Sequence, residues 1–211
     1  MSENQHQKAV LELITKDRKI KEAVKKYGMP EDRKLEGGFE TLFRMIVGQQ
    51  ISVKAANSVW GKLKDIKVNS VKNLLLSDSK KLNAAGLSKQ KISYCKDLAE
   101  KIQNGSLNLN ELTELSSDEV HRKLTSIKGI GDWTADIYQL FVLCDMSVFP
   151  QNDIAIQEGA RIFFDLKKRP KPVELIEMSQ QWSPLRGAAA LVLWQIYRRE
   201  IHEGSSFSSK D

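Results

Sequence analysis

The residues able to do chemistry gather in one stretch. From Leu124 to Asp153 the chain reads LTSIKGIGDWTADIYQLFVLCDMSVFPQND. It carries the carboxylates Asp132, Asp136, Asp145 and Asp153, a Lys-Gly-Ile-Gly turn, and a tryptophan, Trp133, just past that turn. A carboxylate fixed beside a reacting carbon stabilises developing positive charge and can orient or deprotonate an attacking water. A short acidic residue ahead of an apolar helical run is also what an N-cap requires. By residue type alone, both readings of Asp153 stand. Asp132 reads as the cap of the following helix, and Asp136 and Asp145 as exposed helix or loop positions. The turn Lys128-Gly129-Ile130-Gly131 separates an amphipathic run over 118–126 from an apolar run over 133–144. Glycine permits the positive φ and close backbone approach that such a turn needs. The free N–H groups at the start of the next helix form an anion site, and Lys128 beside them makes phosphate the natural anion. A helix–turn–helix connection with no ligand is the alternative.

Apolar periodicity supplies the elements that must position these groups. Residues 5–27 read as one or two helices, with Val10, Leu13, Ile14, Ile20 and Val24 on one face. Residues 31–38 are polar and loop-like, and 39–49 form a mostly buried helix. A polar Gly48-Gln49-Gln50 interrupts it, and Ser52 caps a helix over 53–63. Short helices are predicted over 71–76 and 79–85, closed by Gly86. Ser88 caps a helix to about residue 103. Its first turn, Lys89-Gln90-Lys91, places lysines against the helix dipole, a local cost that nearby phosphates would explain; an ordinary solvated face is the alternative. Another short helix is predicted over 109–115. Beyond Asp153, helices are predicted over 154–163 and 173–181. A Ser183–Pro184 N-cap and N1 pair should then start the last helix, 185 to about 200. The basic run 167–172 reads as a linker, and the Ser-rich 204–211 as a disordered tail. Trp60 and Trp182 read as core. No strand alternation and no repeat is evident, so the fold class is all-α.

Four ordered segments resemble one known family. They are MIVGQQISVKAA (45–56), AGLSKQK (85–91), IKGIGDWTA with FPQND ending at Asp153, and WSPLRGAAALVLW (182–194). Together they are similar to the helix–hairpin–helix (HhH-GPD) DNA glycosylases, alkylbase branch, that of 3-methyladenine DNA glycosylase II. The resemblance implies two helical lobes, 1–36 with 146–203 and 37–145, with the active site in a cleft between them. Members with an extra N-terminal β-containing domain exist; no such domain is expected in this chain. The resemblance makes Asp153 the catalytic carboxylate. It places Trp133, Trp194 and Tyr138 in an aromatic pocket for the base, where an indole face would favour a cationic alkylpurine. It sends the loop with Gln49, Gln50 and Ser52 into the DNA, with Gln50 as the wedge filling the space of the flipped nucleotide. Lys89, Lys91, Lys128, Gly129, Gly131 and Thr134 complete the expected DNA contacts. It also implies a Na+ or K+ ion on the main-chain carbonyls of Thr125, Ile127 and Ile130, bridging to a phosphate. Bifunctional relatives carry a lysine at the Trp133 position that forms a Schiff base with the sugar. Tryptophan there implies a hydrolytic, monofunctional enzyme without AP lyase activity. The iron–sulfur signature of a sister branch is absent, so no cofactor is expected for catalysis.

Composition bounds this reading without carrying it. A 211-residue chain with 41% hydrophobic residues can bury a real core. Its net charge of +6 fits a polyanion partner. No apolar run reaches membrane-spanning length, and the polar start MSENQHQK is unlike a signal peptide. Cys95 and Cys144 give neither metal-ligand spacing nor a disulfide framework, which points to a reducing compartment. The expectation is a monomer acting on double-stranded DNA with a damaged base, in the cytoplasm of a prokaryote or the nucleus of a eukaryote. The expected substrates are 3-methyladenine and 7-methylguanine. A non-catalytic helix–hairpin–helix DNA-binding protein, or a glycosylase for another lesion such as hypoxanthine, are the rivals.

Overall fold

The computed structural model describes residues 5–203, with side chains through 201. The tail expected over 204–211 lies outside the described residues. Among the described residues there are twelve α-helices and no strand. In chain order they are α1 (Gln5–Lys16), α2 (Arg18–Tyr27), α3 (Phe39–Gly48), α4 (Val53–Asp65), α5 (Val71–Leu76) and α6 (Ser79–Ala84). Then come α7 (Lys89–Gln103), α8 (Ser117–Thr125), α9 (Asp132–Phe141), α10 (Ile154–Phe163), α11 (Pro172–Ser179) and α12 (Arg186–Tyr197). The chain divides into two compact units, 1–34 with 139–211 and 35–138. The second boundary falls within α9, ahead of the 145 expected from the sequence. No helix among the described residues is long and apolar enough to cross a membrane.

The first unit is organised around α12. Every residue from Gly187 to Ile196 is buried, as expected of a helix that is apolar all round. The α1 and α2 helices and α10 pack against it. Asp17 fixes the entry to α2: its side chain accepts from Ile20 N–H at 3.0 Å and from Trp182 Nε1–H at 2.8 Å. Trp182 is therefore core, as read from sequence, at 2% exposure. At Gly159, α10 meets the α12 backbone directly. A Cβ there would lie 2.1 Å from the Leu193 carbonyl oxygen, so no larger residue fits without moving a helix.

The second unit packs α3 against α4 and α7, and α5 and α6 against α7. Leu42, Phe43, Ile46 and Val47 of α3 are buried. Trp60 sits edge-on to Phe43, ring centroids 5.2 Å apart, again a core tryptophan.

Several local expectations are corrected. The short helix expected over 109–115 is a 3-10 helix, Leu109–Glu114. The α9 helix stops at Phe141, and Cys144 beyond it takes φ +55°. Ser183 and Pro184 do not start α12; Leu185 occupies its N-cap without a side-chain bond, and Gly187 N–H donates to Met146 O at 2.7 Å. That tertiary bond meets a helix-end donor that local sequence would have assigned to a serine.

Candidate active site and nucleic-acid interface

Asp153 is the N-cap of α10. Oδ1 accepts from Ala155 N–H at 2.8 Å and from Ile156 N–H at 3.0 Å. The same oxygen accepts from the indole Nε1–H of Trp194 at 3.1 Å. The first two bonds are local capping chemistry. The third spans 41 residues of sequence and exists because α10 and α12 touch at Gly159 and Leu193, next to Trp194. The loop ahead is pinned by Asp153 N–H on Pro150 O at 3.0 Å and by Gln157 Nε2–H on Gln151 O at 2.8 Å. The carboxylate is half-buried and held in one orientation.

Trp194 departs from its expected role. The residue is only 7% exposed. Phe141 stacks on its ring, centroids 5.5 Å apart and 28° between planes. The Arg33 guanidinium carbon lies 5.5 Å from the ring centroid. The tryptophan expected to offer a face to the base instead orients the carboxylate and has aromatic and cationic neighbours of its own. Tyr138 is corrected more firmly. It is 1% exposed, and its hydroxyl accepts from the backbone of Gly38 while burial raises its pKa. It is a core residue of the second unit with no open ring face. Trp133, in the first turn of α9, is 45% exposed and is the open ring of the three.

The hairpin lies in the second unit. Gly129 takes φ +82°, and a Cβ there would come within 2.0 Å of the Tyr94 ring. Gly131 has neither constraint: its φ is ordinary and nothing lies within 4 Å of its Cβ position. Only the first glycine is demanded by geometry; the second leaves the approach to the α9 N-terminus bare. Asp132 is the first residue of α9 rather than its cap, with His121 Nε2 3.5 Å from its Oδ1. Asp136, expected to be exposed, is buried. Burial and the nearby Asp132 carboxylate push its pKa up to about 7, and its Oδ2 has no partner.

Around this turn the structure gathers most of the expected DNA-contacting residues. Gln49 donates through Nε2 to Gly129 O at 2.7 Å, tying the Gly48–Ser52 loop to the hairpin. Gln50 is exposed with φ +56°, a conformation costly for a residue with a side chain. A depression of about 420 Å³ is lined by Gln49, Gln50, Ser88, Gln90, Lys91, Tyr94 and 129–131. Ser52 caps α4 by accepting from Ala55 N–H at 3.2 Å. Lys89 is exposed at the start of α7. Lys91 is not: its Nζ donates to Val47 O at 2.6 Å. Its ammonium thus meets a last-turn carbonyl of α3, at the negative end of that dipole. The cost foreseen for lysines opening α7 is offset by another helix for Lys91. Thr134 is buried at 5% exposure, so its side chain is not a surface contact. Lys128 N–H donates to Asp97 Oδ2 at 2.9 Å, and its Nζ is 3.8 Å from Asp97 Oδ1. Asp97 carries no motif signal in the sequence, yet it shapes the turn and tempers the lysine.

The expected cation ligands can be tested by their chemistry. Thr125 ends α8, so its carbonyl belongs to the last turn, and Ile127 O accepts from Ile130 N–H at 3.1 Å. Thr125 O lies at the C-terminus of α8 and the other two carbonyls in the turn beyond it, and neutral main-chain oxygens suit a hard monovalent ion. No cluster of three His, Cys, Asp or Glu among the described residues could hold a metal.

A family model described as the HhH-GPD superfamily base excision DNA repair protein matches residues 43–184. The chain belongs to that superfamily. The HhH-GPD match contains the Gly48–Ser52 loop, the hairpin and Asp153, but neither Arg33 nor Trp194. DNA-3-methyladenine glycosylase 1 of Schizosaccharomyces pombe is 34% identical over 162 residues, 74% of this chain and 71% of that protein. The alkylbase DNA glycosidase-like protein mag2 of the same yeast is 28% identical, over 92% of this chain and 95% of its own. Two solved HhH-GPD structures are similar throughout. A DNA-3-methyladenine glycosidase from Bacillus halodurans has a TM-score of 0.82 at 28% identity, covering 90% of this chain and 89% of that one. Schizosaccharomyces pombe Mag1 in complex with abasic DNA has a TM-score of 0.78 at 33% identity, covering 89% and 95%. Arg33 is the site neighbour that sequence reading missed; it sits in the polar stretch 31–38, where no periodicity or motif marks it.

Proposed function

We propose that this protein is a DNA-3-methyladenine glycosylase that removes alkylated purines from duplex DNA by hydrolysis of the N-glycosidic bond. One observation carries the reading: in an HhH-GPD chain similar to two named alkylbase enzymes, a single carboxylate, Asp153, is oriented by two backbone N–H groups and an indole N–H. The C1′–N bond breaks with its electron pair going to the base, and the sugar becomes oxocarbenium-like. Asp153 stabilises that charge electrostatically and orients a water, whose oxygen bonds to C1′ as its proton passes to the Asp153 carboxylate and on to solvent. A base already carrying a methyl group and positive charge departs neutral. The Gly129 and Gly131 N–H groups and the side chains of Lys128 and Lys89 hold phosphates, and Gln50 enters the stack where the base has left. A Na+ or K+ ion on the carbonyls of Thr125, Ile127 and Ile130 would add a bridge to phosphate. The enzyme works as a monomer without AP lyase activity, since Trp133 stands where a Schiff-base lysine would be needed.

The test is single-turnover excision from 3-methyladenine and 7-methylguanine duplexes by the parent protein and Asp153→Asn. Asparagine caps helices as well as aspartate, so the fold survives and the charge alone is lost. Excision should drop by about 10²–10³ with lesion binding retained. Borohydride added to the parent reaction should trap no covalent complex. Parent protein that binds DNA but releases neither base would establish a DNA-binding module instead.

A further inference from the structure

Arg33 stands beside the proposed chemistry, and its placement is built. Glu31, Asp32 and Arg33 are consecutive, and each is committed to a different partner. Glu31 Oε2 pairs with Arg198 Nη1 at 2.8 Å. Asp32 Oδ1 bonds His6 Nδ1 at 2.8 Å and accepts from Lys34 N–H at 3.0 Å. His6 is buried, and its Nε2 bonds Leu140 O at 2.9 Å. The segment just ahead of Arg33 is thus pinned to α1 through Asp32 and to the turn after α12 through Glu31. Arg33 then lays its guanidinium over Trp194 at 5.5 Å. The residue as a whole is exposed, yet its charged end is desolvated enough that burial lowers its pKa. The Arg198 charge acts in the same direction, while Glu31 and Asp153 oppose it.

Two physical consequences follow. A cation already occupies the neighbourhood of the indole, so a cationic purine gains little there and meets a like charge. The sugar carbon that Asp153 stabilises must come within about 3–3.5 Å of its reacting partner, and the base is one bond further. Trp194 bridges Asp153 and Arg33, so a base departing beside Asp153 departs near a fixed positive charge. Neutral purines leave as anions: the electron pair of the C1′–N bond stays on the base nitrogen, which then takes a proton released by the attacking water. That developing negative charge is what a guanidinium stabilises.

Resting on the glycosylase reading above, we infer that Arg33 is a specificity-determining residue that turns this site toward neutral lesion purines, such as hypoxanthine, relative to cationic ones. The experiment measures single-turnover excision from a deoxyinosine duplex and a 7-methylguanine duplex by the parent protein, Arg33→Gln and Arg33→Lys. The parent should release both bases. Arg33→Gln should lower the hypoxanthine-to-7-methylguanine rate ratio about 10-fold or more, because hypoxanthine release slows far more than 7-methylguanine release. Arg33→Lys, which keeps the charge, should recover most of the ratio. A parent that releases 7-methylguanine but no hypoxanthine overturns the inference and leaves the glycosylase reading standing. Equal slowing of both bases in Arg33→Gln overturns it in favour of a purely structural role, and a lysine variant no better than glutamine overturns the charge argument. A parent that releases neither base overturns the inference, and the glycosylase reading is then decided by the 3-methyladenine duplex.

Discussion

Asp153 and Gly129 mark two regions that solve different problems. Around Asp153, one carboxylate oxygen takes three N–H donors, and the donors ride on helices whose backbones touch. Around Gly129, side chains such as Gln49 and Lys91 are spent on holding loop shape, while Gln50, Lys89, Lys128 and Trp133 remain exposed. A group that stabilises a transition state must be oriented before the reaction, because reorganising it afterwards costs free energy. A surface that reads an irregular polyanion needs reachable donors more than fixed ones. The first region is therefore closed and the second open.

The sharpest way to break this contrast, short of removing Asp153, is Trp194→Phe. It keeps the ring stack with Phe141 and deletes one donor to the carboxylate. A hydrogen bond to a charged group is worth about 1.5–3 kcal/mol, so single-turnover excision should slow at least about 10-fold. DNA affinity should hold. Loss of affinity with an unchanged rate would move Trp194 from the chemical region to the recognition region.

Gly129→Ala attacks the other side. An L-residue in the left-handed region costs about 1–2 kcal/mol, and the new methyl group runs into Tyr94. Thermal stability and DNA affinity should both fall, while excision at saturating protein concentration stays near the parent rate. A rate loss as large as the affinity loss would mean that the two regions do not act independently.

The smallest effect separates two lysines of one helix turn. Lys89→Met should weaken DNA binding and shallow its salt dependence by about one phosphate contact. Lys91→Met should instead cost about 1 kcal/mol of stability through the lost bond to Val47 O and leave the salt slope alone. Equal salt slopes for the two variants would return Lys91 to the DNA-facing set.

The sequence was most legible where chemistry is local. Ser52, Ser88 and Asp153 each announced a helix start, and each accepts a backbone N–H two or three residues on. The glycine turn and the polar Gly48-Gln49-Gln50 break were visible for the same reason: they contradict the apolar pattern around them. Trp60 and Trp182 were readable as core because packing is the default role of a tryptophan outside a site motif, and both are buried. Side chains whose roles depend on distant partners were misread. Lys91 looked like a phosphate ligand until Val47 was beside it, and Tyr138 and Trp194 looked like open aromatic faces until burial closed them. Asp136 looked exposed because an unpaired carboxylate is seldom buried, yet it lies in the core. Arg33 had no signature, since nothing in a polar stretch of 31–38 says which residue will reach Trp194.

By itself, then, the sequence determined the helical class and the hairpin, because capping, periodicity and glycine turns act over a few residues of chain, and four ordered segments carried the family resemblance that singles out Asp153. The tertiary structure decided which groups face that carboxylate. Only when α10 and α12 close on Gly159 does the indole of residue 194 reach a side chain 41 positions away, and only the pinned segment around Asp32 carries Arg33 to the same ring. Those contacts depend on which buried faces meet, and the energy of burial is shared over the whole core rather than written at any one residue.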